Sequence, residues 1–123
     1  MKKQNNEKGR DGENLASVYL SEKGHCILAR NYRKRTGEID IISCYRETII
    51  FTEVKLRRTI NYGTPAQAVN DRKQQHIIKT ALWYLQEKKL FDCNVRFDII
   101  EILGEPIVGY SINHIENAFL MEH

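Results

Sequence analysis

Two fragments of this chain carry residue types that phosphoryl chemistry uses: Gly37-Glu38-Ile39-Asp40 and, further along, Glu53-Val54-Lys55. On an extended strand, side chains two apart share a face. Glu38, Asp40 and Ile42 are therefore expected on one side, with Ile39 and Ile41 on the other, buried side. Glu53, Lys55 and Arg57 likewise fall together, opposite Thr52, Val54 and Leu56. If the two strands pair through the intervening turn, Asp40 and Glu53 become neighbours and offer two hard oxygen ligands. That set suits a Mg²⁺ or Mn²⁺ ion that keeps several waters and completes its shell with substrate phosphate. Such an ion polarises a phosphoryl oxygen and acidifies a bound water, while a lysine beside it, here Lys55, steadies developing charge or orients the nucleophile. Phosphodiester hydrolysis is the reaction that this trio fits. The same spacing also fits solvent-facing cross-strand ion pairs worth roughly 0.2–1 kcal/mol each.

The elements that must position these residues follow from periodicity. Residues 1–8 are polar and charged without an apolar period, so a flexible tail is expected there, with a single domain over 9–123. From Glu13 to Lys23, Leu15, Ala16, Val18, Tyr19 and Leu20 recur at helical spacing and Gly24 stands where a helix stops. Cys26–Ala29 starts an extended run, Gly37–Ile42 reads as a second strand, Tyr45–Thr48 as a turn and Ile49–Lys55 as a third strand. Thr64, Pro65 and Gln67 supply a cap, a first-turn proline and a capping-box partner. A long helix should follow, with Val69, Ile77, Ala81, Tyr84 and Leu85 on one stripe. Strands are expected around Val95–Ile102 and Ile107–Ile112, and a short closing helix over Ile115–Leu120. The order helix, three strands, helix, two strands, short helix implies an α/β fold, a mixed sheet flanked by helices.

Composition sets the compartment and the partner. Lys plus Arg number 19 against 16 Asp plus Glu, a net charge of +3, and the cations cluster: Arg30, Arg33, Lys34 and Arg35 precede the first acid, and Lys55, Arg57 and Arg58 surround the second. Arg30, Arg33, Arg35, Arg57 and Lys73 are candidate phosphate contacts for a nucleic acid. Three widely separated cysteines, Cys26, Cys44 and Cys93, read as reduced thiols. No apolar run suits a secretory signal or a membrane span, so a cytoplasmic protein without membrane contact is expected. The four histidines lack ligand spacing and read as ordinary surface or core residues.

The divided acid, then acid-x-lysine pattern resembles the motif of restriction-endonuclease-like nucleases. The longer string Gly12-Glu13, Ala16, Tyr19-Leu20, Arg30-Asn31-Tyr32-Arg33, Gly37-Glu38-Ile39-Asp40, Phe51-Thr52-Glu53-Val54-Lys55, Tyr62-Gly63, Lys73 and Arg96-Phe97-Asp98 resembles the small bacterial YraN-like family, related to archaeal Holliday-junction resolvases. Ile39 stands where many superfamily members have proline. The resemblance implies a restriction-endonuclease-like fold, metal-binding acids at Asp40 and Glu53, a catalytic lysine at Lys55 and a helix-borne catalytic acid at Glu13. An acid in a helix's first turn is also favoured by the macrodipole alone, by about 0.3–1 kcal/mol. The expected activity is a Mg²⁺- or Mn²⁺-dependent endonuclease, selective for branched or single-stranded DNA. A nucleic-acid-binding accessory that keeps the fold without turnover is the alternative. By analogy with resolvases, which cut two-fold junctions, a symmetric homodimer is expected.

Overall fold

The structure, a computed structural model, describes residues 2–57, 69–105 and 107–121. Its elements are α1 (Lys2–Glu22), β1 (Cys26–Lys34), β2 (Gly37–Tyr45), β3 (Thr48–Arg57), α2 (Asp71–Glu87), β4 (Asn94–Glu105) and β5 (Gly109–Phe119). The strands form one five-stranded sheet in sequential order. β1, β2 and β3 make an antiparallel meander, α2 carries the chain across so that β4 lies parallel to β3, and β5 returns antiparallel along β4. This is the mixed α/β sheet expected from the pattern.

The central strands are apolar on both faces because each face receives a helix. On one side α2 presents Ile77, Ile78, Ala81, Tyr84 and Leu85 to Ile39, Ile42, Ile49, Phe51, Phe97 and Ile99. Phe51, Phe97 and Phe119 stack in series with ring centroids 5.5 and 5.0 Å apart. On the other side Ala16 and Leu20 of α1 bury against Ile41, Ile100 and Ile102. Gly12 packs over β3, where a Cβ would make ordinary contact with Leu56 at 3.5 Å. Among the described residues no helix is long and apolar enough to cross a membrane.

Several boundaries differ from expectation. α1 is helical from Lys2, through the stretch expected as a tail. Residues Thr64, Pro65 and Gln67 lie outside the described residues, and α2 begins at Asp71 because Asn70 caps it, its side chain accepting from the Lys73 N–H at 2.9 Å. The closing helix over Ile115–Leu120 does not form; the segment through Phe119 is the end of β5. Its apolar residues, Ile115, Ala118 and Phe119, suit either period, and the open edge of β4 decides for strand by offering a hydrogen-bond ladder. A register shift opposite Asp98 absorbs the misfit, with Asn117 left-handed (φ 55°) and its N–H donating to Asp98 Oδ1 at 3.0 Å.

Candidate functional site

The acids meet at the point where β2 stops pairing with β3. The last ladder pair is Ile41 with Thr52, and Asp40 and Glu53 lie one step beyond it. With no ladder partner there, the Val54 N–H donates to Asp40 Oδ2 at 2.8 Å, which fixes that carboxyl against β3. The face that carries Asp40 is not a solvent face as expected. Ile42, two residues on, is fully buried under α2, as Ile41 is under α1. The acids reach solvent through a cleft of about 520 Å³ at the N-terminal end of α2.

Glu53 is only 6% exposed, and its Oε2 contacts two ammonium groups: Lys73 directly, from the first turn of α2, and Lys55 at 3.6 Å, from its own strand. Parity along β3 puts Glu53 and Lys55 on the face of Phe51, as the alternation rule requires. Burial first, and then the charge of Glu53, push Asp40 up to about 9, so the carboxyl pair retains a proton at neutral pH. Burial also lowers Lys55, reinforced by the adjacent Lys73. Lys73 is raised, because its contacts with Glu53 and Lys55 outweigh its own burial.

Glu13 comes alongside from α1. Its Oε1 lies 3.7 Å from Arg30, burial raises its carboxyl against the pull of Asn31 and Arg30, and its charge is felt by Asp40. Arg33 is exposed on β1 and reaches Glu38, a cleft residue, at 3.3 Å. Arg35 is exposed in the turn between β1 and β2. Arg57 lies elsewhere, in a largely buried pair with Glu101 at 3.2 Å, so its guanidinium is not on the cleft surface. Periodicity alone missed Asn70, Arg72 and His76, which line the cleft from the cap and first turns of α2. The spacing of three from Asn70 to Lys73 and from Lys73 to His76, and of four from Arg72 to His76, was the available signal.

Gly37 allows this arrangement. It has φ +149°, and a Cβ would come within 3.3 Å of the His76 Cβ and 3.4 Å of the Thr80 hydroxyl. The adjoining Thr36 hydroxyl bonds that of Thr80 at 2.6 Å, tying the β1–β2 turn to α2.

Among the described residues no three His, Cys, Asp or Glu side chains gather as a metal cage. Asp40 and Glu53 instead offer two adjacent carboxylates opening on a polar cleft. This donor set fits a hard ion that keeps much of its water.

Residues 12–102 match the model of a family described as "Uncharacterised protein family UPF0102". The chain belongs to this family. UPF0102 proteins from Alkaliphilus oremlandii (49% identical, covering 90% of this chain and 96% of the relative) and Syntrophus aciditrophicus (47%, 94% and 91%) are similar along nearly their whole length. So is the UPF0102 protein CA_C1763 of Clostridium acetobutylicum (44%, 97% and 98%). This UPF0102 membership agrees with the YraN-like resemblance of the sequence, and the matched span contains every cleft-lining residue.

Proposed function

We propose that this UPF0102 protein is a divalent-metal-dependent nuclease that hydrolyses phosphodiester bonds, with branched or single-stranded DNA as its substrate. The carrying observation is the convergence of Asp40, Glu53 and Lys55 on one wall of an open cleft whose other wall supplies Lys73 and Arg72. Asp40 and Glu53 would hold Mg²⁺ or Mn²⁺, which when bound supplies polarisation of the scissile phosphate and a more acidic water. Lys55, held beside Glu53 by its strand, is placed to stabilise charge on the phosphate or to orient the attacking water. Glu13 adjusts Asp40 through its charge. Arg30, Arg33 and Arg35 on β1 and its turn, with Lys73, track the backbone. The three free cysteines agree with a cytoplasmic setting. A symmetric homodimer would match a two-fold branched substrate.

The test is cleavage of labelled duplex, single-stranded and branched DNA with Mg²⁺, with Mn²⁺ and with chelator, using the parent, Asp40→Asn and Lys55→Ala. Metal-dependent cleavage lost in both variants is expected, with metal binding lost only in Asp40→Asn. Salt-sensitive DNA binding without cleavage under any metal would leave the protein as a binding accessory. Absence of both binding and cleavage would remove nucleic acid from its function.

A further inference from the structure

One carboxylate oxygen, Glu53 Oε2, is shared by two lysines that reach it from different elements. Lys55 leaves the same strand two residues on and its side chain is 27% exposed, so the β3 ladder keeps it beside the acids. Lys73 comes from the opposite wall of the cleft on a four-carbon stem and is 40% exposed. Its backbone is fixed, because its N–H is bonded to the Asn70 cap, while its ammonium reaches β3 only at the far end of a flexible stem. A pair of buried carboxyls needs cationic compensation, and Lys73 supplies it from outside the sheet. Two ammonium groups and a divalent ion cannot all crowd one oxygen: the ion's repulsion with the mobile cation is relieved when that cation leaves. The cleft mouth beside Lys73 is lined by Arg72, Asn70 and His76, so a departing ammonium would turn toward bound phosphate.

We infer that Lys73 is a tethered counter-ion, which occupies the cation position on Glu53 until a divalent ion displaces it and then becomes a contact for the substrate's phosphates. The inference rests on the metal-site reading above. It makes metal loading and nucleic-acid capture mutually reinforcing, since whatever stabilises the displaced lysine must tighten the ion by the same factor.

The experiment measures Mn²⁺ affinity of the parent, Lys73→Gln and Lys73→Arg by calorimetry. Alongside, the acylation rate of each lysine in the unaltered protein is followed by mass spectrometry with and without Mn²⁺. Removing the competing charge should tighten Mn²⁺ roughly 10-fold in Lys73→Gln, whereas Lys73→Arg should bind as the parent does. In the parent, Mn²⁺ should raise the labelling of Lys73 several-fold while exposed Lys79 on the same helix does not change. If the parent binds Mn²⁺ but Lys73→Gln binds it no tighter, or Lys73 labelling ignores the metal, the counter-ion role is overturned and the metal site stands. If neither the parent nor the variants bind Mn²⁺, both readings fall.

Discussion

Asp40→Asn should make the protein more stable, and increasingly so as pH rises. Asp40 is pushed from 3.8 up to about 9 in the fold, chiefly by burial and then by Glu53. Between those values the unfolded chain releases the proton and the folded chain keeps it, so the native state binds more protons and stability falls as pH rises. In sign terms, the carboxyl's favourable contribution is complete below pH 3.8 and is lost as pH climbs toward about 9. At pH 7 the unfolded side has gained about 3 units of titration, roughly 4 kcal/mol at full effect. Solvent in the open cleft screens part of this, leaving an expected gain of about 1–3 kcal/mol for the variant. Asparagine reproduces the neutral acid: its Oδ1 can accept from the Val54 N–H and its amide can donate to Glu53. The assay is thermal unfolding of both proteins from pH 5 to pH 9 in chelator, then with Mg²⁺. The gap in Tm should widen with pH, and Mg²⁺ should raise the parent's Tm alone. Parallel curves, or a variant less stable than its parent at pH 8, would refute the picture of a proton held between two buried carboxyls.

Three other outcomes are expected. Asp98, with no exposed surface, accepts from Nε and Nη2 of Arg96, each at 2.9 Å, and from the Asn117 N–H, and bonds His114 Nε2 at 2.7 Å. Asp98→Ala should cost about 2–4 kcal/mol in denaturant unfolding, since it leaves the half-buried Arg96 with only the exposed Glu116 and frees the end of β5. Its titration runs opposite to that of Asp40. Burial would raise it, but the bonds to His114, Arg96 and Asn117 hold it below 3.8, so its stabilisation is whole above that value and is lost in acid as pH falls through the folded value. An acid unfolding midpoint that Asp98→Asn leaves unmoved would contradict this. Gly37→Val should destabilise by about 1–3 kcal/mol, read as a lower denaturant midpoint, because φ +149° and the nearness of His76 both penalise a branched side chain. Replacing Arg33 and Arg35 together by Ala should flatten the slope of log affinity for DNA against log salt by about 2, and a slope equal to the parent's would remove β1 from the phosphate track.

The parts of the site set by local periodicity were legible in the sequence, and the parts set by packing between elements were not. Glu53 and Lys55 fall on one face because strand alternation is local. That rule also paired Asp40 with Ile42, but it could not tell that α2 packs on their face, so the acid taken as solvent-facing lies inside a cleft walled by α2. Arg57 was legible as a cation, whereas its engagement by Glu101 depends on β4 lying parallel to β3. Lys73 was marked for phosphate, yet its contact with Glu53 needs the docking of α2, set by Asn70 at its start and Gly37 beneath it. Ile115, Ala118 and Phe119 show the remaining limit, since spacings of three and four are compatible with a helix until a free strand edge competes for the backbone.

The position of β3 between β2 and β4 divides the site by the order in which its parts let go. Glu53 and Lys55 stand on a strand whose whole length, Thr48 to Arg57, is laddered to β4. Their amides should exchange only through global opening. Arg33 is on the outermost strand and Lys73 on the opening turn of a helix, where opening takes fewer broken bonds. Warming or mild denaturant would loosen the grip on a polyanion while the two carboxyls still stand in register. Under the proposed function, binding would then be lost well before the geometry of the two acids.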